Sequence, residues 1–171
     1  DVIRVTQNSH KQWLLTQIPQ VQGALVSLNP TNGQILALTG GFSFSLSHFN
    51  RVTQALRQPG SSFKPFIYSA ALNKGYSLAS IINDAPIVLP DTGEDILWRP
   101  NNDNNSFAGP TRLAVGLSQS RNLVSIRLLN AVGIEYAIDY IAKFGFNPTS
   151  LPHSLSLALG SNVVSPIQLA S

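Results

Sequence analysis

Apolar and polar residues change rhythm several times along the chain, and each change marks an expected element. In residues 23–41, GALVSLNPTNGQILALTGG, the positions Ala24, Val26 and Leu28 alternate with Leu25 and Ser27, and a return strand runs from Gln34 to Thr39. Alternation with a period of two suits a half-buried strand, and Asn32-Gly33 supplies the positive φ of a tight turn, so a β-hairpin is expected here. After Gly60 the period becomes helical. Phe66, Ile67, Ala70 and Ala71 fall at i, i+1, i+4 and i+5, lining one face of a helix over 61–75 with Gly75 as its stop. Pro65 is tolerated only in a first turn, whose N–H groups lack partners, so this helix should begin at Ser61 or Ser62. Further helices are expected over Arg112–Ser118, Leu123–Val132 and Glu135–Lys143, the last two stopped by Gly133 and Gly145. Ser165-Pro166-Ile167-Gln168 reads as a capping box with proline at the first helical position.

The intervening stretches lack a clear period. Residues 1–20 read as a connector or a short strand leading into a domain over 21–171. Residues 42–58 read as a loop with a short helical turn, 76–82 as a short helix or turn, and 151–160 as a loop. Residues 83–110, rich in Pro, Asn, Asp and Gly, form a long irregular stretch of the kind that is usually functional or flexible. Its acids Asp91, Glu94, Asp95 and Asp103 fit no calcium-loop spacing and read as solvated, while Trp98 and Asn101 either brace the loop or shape a cleft.

Composition narrows the chemistry. Charged residues are only 11% of the 171, the net charge is +3 and no run of like charge occurs, so a nucleic-acid footprint is excluded. Cysteine is absent, and His10, His48 and His153 are isolated, so no metal site or cofactor is expected. The chain has no apolar run long enough to span a membrane. Having no methionine, and a helix signal at Ser165 with only six residues after it, the chain is expected to be a piece of a longer protein.

Two short groupings could carry chemistry. Ser61-Ser62-Phe63-Lys64 puts a hydroxyl and an amine three residues apart, on one helical face with Cβ atoms about 5–6 Å apart. At a helix start, burial and the positive end of the dipole both disfavour an ammonium, so Lys64 can serve as a base for an attacking Ser61. Ser62 has Pro65 three places on and is no candidate. The plain alternative is that either serine is a helix cap and Lys64 is solvated. Ser120-Arg121-Asn122, at the break between two expected helices, offers a hydroxyl to relay a proton and an amide to bind a carbonyl or hold the lysine. It too can be read as a cap.

In this order, a Ser-x-x-Lys box followed by a Ser-x-Asn box resembles penicillin-binding proteins and serine β-lactamases. The flanking blocks FNRVTQALRQPGSSFKPFIYSAAL, WRPNN, GPTRLAVGLSQSRNLVSIRLL and LALGSNVVSPIQLA are similar to the transpeptidase domain of bifunctional class A penicillin-binding proteins, over residues 20–171. The resemblance implies an α/β (α+β) fold of the β-lactamase/transpeptidase type, here an opening hairpin, most of a helical lobe and an incomplete sheet. It implies Ser61 as nucleophile, Lys64 as general base, Ser120 as proton shuttle and Asn122 as the group that holds the substrate amide and Lys64. Arg121 is expected to point outward and Arg127 to be structural. The implied partners are peptidoglycan stem peptides ending in D-Ala-D-Ala, β-lactam antibiotics, and an upstream glycosyltransferase domain with a membrane anchor. The implied location is the periplasmic side of a bacterial cell envelope.

Two alternatives remain open at this point. One is a β-lactamase, whose deacylating base would have to be Glu135 or Asp139, although both read as members of a solvated helix face. The other is a non-catalytic β-lactam sensor of the same fold. The family's third box, Lys-Thr/Ser-Gly, on a strand that supplies an oxyanion N–H, does not occur in these residues. These 171 residues alone are therefore expected to acylate slowly, since losing one oxyanion donor costs on the order of 10²- to 10³-fold. Incubation of the isolated chain with a labelled penicillin checks this, and ready stoichiometric labelling would contradict it.

Overall fold

A computed structural model describes residues 3–90 and 97–171. The chain opens with a hairpin where a connector or short strand was expected: β1 (Arg4–Gln7) pairs antiparallel with β2 (Trp13–Thr16). Its turn carries no glycine signal. Asn8 builds it instead, its side-chain oxygen accepting from the N–H groups of His10 and Gln12, with Lys11 at φ 61°. The expected hairpin follows as β3 (Leu25–Leu28) and β4 (Ile35–Thr39), with a bulge at Ser27/Leu28 and Gly33 at φ 72° in the turn. Leu25, Ile35, Leu36 and Leu38 are exposed on it. Residues 42–58 are turns, as anticipated.

The helical lobe is where the core lies. A 3₁₀ turn (Gly60–Phe63) leads into α1 (Lys64–Asn73), so the α-helix proper begins three residues later than Ser61. After a turn the chain forms β5 (Ile81–Asp84), paired antiparallel with β8 (Gly109–Arg112). Neither strand was anticipated, because Asn83, Asp84, Gly109 and Pro110 are poor strand formers and only the tertiary pairing sets their conformation. A two-residue ladder, β6 (Leu89–Pro90) with β7 (Leu97–Trp98), lies between them. Asp91, Glu94 and Asp95, read as solvated loop acids, lie outside the described residues.

Helices α2 (Leu113–Ser118), α3 (Asn122–Val132) and α4 (Ile134–Ile141) fall within a few residues of their predicted spans. Helix α3 is the centre of the core. Leu123, Val124, Ile126, Leu128, Leu129 and Val132 are all fully buried on it, against Phe63, Ile67, Ala70 and Ala71 of the first turn and α1. Full burial of one such side chain stabilises by about 1.5–3 kcal/mol. Gly116 lets α2 lie close, since a Cβ there would stand 2.7 Å from a Val124 methyl. Residues 151–160 are not a plain loop: a 3₁₀ turn over Leu155–Leu159 buries Leu157 and Ala158 in the core. The capping box at Ser165 forms as read, with both reciprocal bonds present at the start of α5 (Pro166–Ala170).

The 57–60 segment, which delivers Ser61, is clamped to 160–164. Arg57 and Val164 exchange both backbone hydrogen bonds at 3.0 Å, and Gly60 N–H donates to Gly160 O at 3.2 Å. Behind the turn, Phe63 meets Phe146 edge to face at 5.4 Å. The approach of Gly60 to Gly160 leaves no room for a side chain: a Cβ on Gly160 would lie 2.1 Å from Gly60 O, and Gly160 has φ 69°. A Gly160→Ala variant should lose at least about 1–2 kcal/mol from the left-handed backbone alone. Urea denaturation checks this, and unchanged stability would show that the two segments separate at little cost.

Candidate active site

The four residues singled out by sequence lie on three parts of the chain. Ser61 lies in the 3₁₀ turn, exposed, its carbonyl accepting the Lys64 N–H. Lys64 is the first residue of α1 and is 1% exposed. Ser120 sits between α2 and α3, and Asn122 opens α3. The cap readings are corrected. The residues preceding the 3₁₀ turn and α1 are Pro59 and Phe63, with no side-chain cap bond at either, and Arg121 precedes α3 with none of its own.

The structure brings Lys64, Ser120 and Asn122 together. The Lys64 amine donates to Ser120 O at 2.6 Å, to Ser120 Oγ at 2.9 Å and to Asn122 Oδ1 at 2.7 Å. Two of these come from one residue because Ser120 has φ 53°, a left-handed conformation that costs a non-glycine residue free energy. That conformation presents its carbonyl and hydroxyl to the same amine. Among the described residues Ser61 Oγ forms no hydrogen bond, to the Lys64 amine or to any other group, so the structure joins three of the four residues and leaves Ser61 exposed three positions before Lys64. Burial pushes the Lys64 amine down from 10.5 to about 8, with the Asp103 carboxylate pulling the other way.

Asn122 is held by residues 101–103. Its Nδ2 donates to Asn101 O at 3.0 Å and to Asp103 Oδ1 at 3.2 Å, which turns its oxygen toward Lys64. Asn102, 4% exposed, accepts from the N–H groups of Asn122 at 2.9 Å and Leu123 at 3.3 Å. These donors have no partner inside α3, so Asn102 caps the helix from a distant segment. Asp103, read as a solvated acid, is exposed yet belongs to the site. Asn101 braces its loop through Asn105 at 2.7 Å as well as contributing its carbonyl.

Arg121 does not point outward. Its guanidinium lies 3.5 Å from the buried Asp84 carboxylate and donates to Ser106 and Gln119. Arg127 is structural as expected, donating to the carbonyls of Ala85 and Pro86. Glu135 is exposed and lies 2.7 Å from His153, in keeping with a solvated face. An open cleft of about 480 Å³ adjoins Ser120, lined by Asn102, Asp103, Asn104, Gln119 and Arg121.

Sequence reasoning missed Asp84 and Asn102. Asn102 lay inside the block WRPNN, and a second consecutive asparagine in an otherwise irregular loop was the available signal. Nothing local marked Asp84 as buried.

Residues 23–169 match the family described as penicillin binding protein transpeptidase domain. The chain is 55% identical over 170 residues to penicillin-binding protein 1A of Pseudomonas aeruginosa, covering 99% of this chain and 21% of that protein. It superposes on the 2.6 Å crystal structure of penicillin-binding protein 1A from Haemophilus influenzae with a TM-score of 0.91 and 44% identity, over 98% of this chain and 25% of that one. A PonA1 structure from Mycobacterium tuberculosis in complex with penicillin V is similar at TM-score 0.72 and 25% identity, over 87% of this chain and 43% of that one. The chain thus spans about a fifth of the length of the curated relatives it matches. With its mixed α/β architecture and its resemblance over nearly all these residues, the chain belongs to the penicillin-binding protein transpeptidase domain family.

Proposed function

We propose that this chain carries the serine acylation site of a D,D-transpeptidase that cross-links peptidoglycan stem peptides, on the periplasmic side of a bacterial cell envelope. The parent protein would carry an upstream glycosyltransferase domain and a membrane anchor. The observation that carries the reading is the buried Lys64 amine, held by Ser120 and Asn122, one helical turn along the chain from the exposed Ser61.

Protonated Lys64 has three N–H donors, matched by three oxygens. A neutral amine has two donors and a lone pair. Of the three partners only the Ser120 hydroxyl can turn round and donate, because the Ser120 carbonyl and the Asn122 amide oxygen have no proton. A proton that Lys64 accepts from Ser61 therefore has one exit, through Ser120. Ser61 Oγ attacks the carbonyl carbon of the penultimate D-Ala as its proton passes to Lys64. The C–N bond breaks, the terminal D-Ala amine leaves with a proton delivered by Ser120, and an ester remains on Ser61. An amine from a second stem peptide attacks that ester and passes its proton to Lys64; the C–Oγ bond breaks, Lys64 returns the proton to Ser61 Oγ, and an amide bond replaces the ester. β-Lactams acylate Ser61 by the first half of this sequence.

The hydrolase alternative finds no support at Glu135, which is engaged with His153 at 2.7 Å. A sensor without transferase activity is separated from a transpeptidase by assaying cross-linking on lipid-linked substrate.

In the full-length protein, Ser61→Ala should abolish the covalent penicillin adduct seen by mass spectrometry, and an adduct of undiminished yield would overturn the nucleophile assignment. Lys64→Met should slow acylation by roughly 10²- to 10⁴-fold, the usual weight of a general base. The base must be unprotonated to act, and its pKa is lowered to about 8. Acylation should accordingly rise with pH and level off above about 8; a rate flat from pH 6 to 9 would mean that Lys64 does not take the proton.

A further inference from the structure

We infer that Asn102 is a positioning residue for the Lys64–Asn122 contact, and that Asp84 fixes the orientation in which Asn102 works. The inference rests on the acyl-transfer reading of the site given above.

Asn102 uses its whole carboxamide. Its Oδ1 takes the first two N–H groups of α3, those of Asn122 and Leu123. Its Nδ2 donates to Asp84 Oδ1 at 2.8 Å and to Ser106 O at 2.8 Å. A carboxamide rotated by half a turn would aim N–H groups at N–H groups, so what selects the working orientation is an acceptor on the opposite side that cannot donate. Asp84 is that acceptor among the side chains, and the backbone carbonyl of Ser106 shares the task. Asp84 is 0% exposed, and its second oxygen is occupied by Ala108 N–H at 3.0 Å and by Arg121 at 3.5 Å. An ionised carboxylate accepts only, whereas an asparagine in its place would offer either an oxygen or an NH₂.

The consequence reaches the reacting groups in two steps. Capping by Asn102 sets where α3 begins and thus where the Asn122 backbone stands. The adjacent Asn101 O and Asp103 Oδ1 then turn the Asn122 side chain so that its oxygen meets Lys64 at 2.7 Å. One short segment, 101–103, therefore fixes both the position and the rotation of Asn122. Without Asn102 the first turn of α3 frays, Asn122 drifts, and Lys64 loses an acceptor and part of its shelter from water.

The effect is separable from loss of stability. The test uses the full-length protein and a labelled penicillin, with the non-covalent dissociation constant and the acylation rate constant measured apart. Asn102→Ala should lower the acylation rate constant roughly 10- to 100-fold, as expected for misplacing a reacting group by about 1 Å. The non-covalent constant should change by no more than about twofold, because the lost interaction bears on the chemical step. The alkaline-rising limb of the rate should also move to higher pH, since a wetter amine returns toward 10.5 from about 8. The charged and titratable groups around the cage are Asp103 on the 101–106 segment, the Asp84–Arg121 pair behind Asn102, and Tyr68 on α1, whose phenol burial pushes up.

Val132→Ala, at the far end of α3 and equally buried, serves as a stability match. It should lower the melting temperature and leave rate and pH limb alone. If Asn102→Ala does not fold, Asp84→Asn carries the same expectation in direction, since it keeps the volume while removing the acceptor-only character. Variants whose folded fraction acylates at the parental rate with the parental pH limb would overturn the positioning role. Absence of any adduct on Ser61 in the parent protein would defeat the acyl-transfer reading itself, a different result.

Discussion

A primary amine with three protons, taken out of water, must find three acceptors or give up a proton. Lys64 finds three, and the whole lobe is arranged to supply them. Its burial follows from its place at the start of α1, directly after Phe63, where the chain enters the core. The acceptors come from residues some 56 to 58 positions later, so the site exists only if α1 and α3 pack in one register. The buried apolar face of α3 provides that register. Removing bulk at the Asn122 end of that face, as at Leu123, would shift the amine and its acceptors against each other, which links packing there to the proton balance of the site.

The Ser120 backbone is the strained part of this arrangement. A left-handed serine is unfavourable in isolation, and it persists because its neighbours determine it. On one side Ser120 N–H and Arg121 N–H bond back to Leu117 O and Gly116 O, ending α2 tightly. On the other, Arg121 is drawn inward to Asp84, and α3 starts at once. Gly116 matters here because it lets α2 approach α3 closely enough for so short a connection. The strain yields a residue whose carbonyl and hydroxyl face one amine, a geometry an ordinary helix cap does not provide.

The parts of the site written in short-range sequence were legible. Ser61 and Lys64 are three apart, Ser120 and Asn122 two apart, and the hairpin over 23–41 announces itself by alternation and Asn-Gly. What escaped reading was set by distant partners. Asp84 becomes a buried charge only because Asn102 and Ala108, 18 and 24 residues on, close over it. Arg121, polar and central in its box, reads as solvent-facing until that carboxylate is in place. The β5–β8 ladder is built from residues with little strand preference, and the first hairpin turns on an asparagine side chain rather than on glycine. Helix caps are normally local in sequence; α3 takes its cap from another segment, so the serine and asparagine beside it were read as caps when they are otherwise engaged.

The two halves of the proposed base–nucleophile pair are treated in opposite ways, and the chemistry requires it. A base that works near neutrality has to be dry, and Lys64 is sealed by α1, α3 and the 101–103 segment. A nucleophile that meets a peptide carbonyl has to be open, and Ser61 sits exposed on a turn, its hydroxyl bonded to nothing among the described residues. Such a turn needs rigidity from elsewhere, and the contact of Gly60 with Gly160 supplies it without covering the serine. The open face of Ser61 and the sealed face of Lys64 are thus consequences of one boundary, the point where a 3₁₀ turn becomes α1. That boundary lies between Phe63 and Lys64 because Phe63 is pinned among aromatic rings, and Pro65 is admissible only where the helix has just begun.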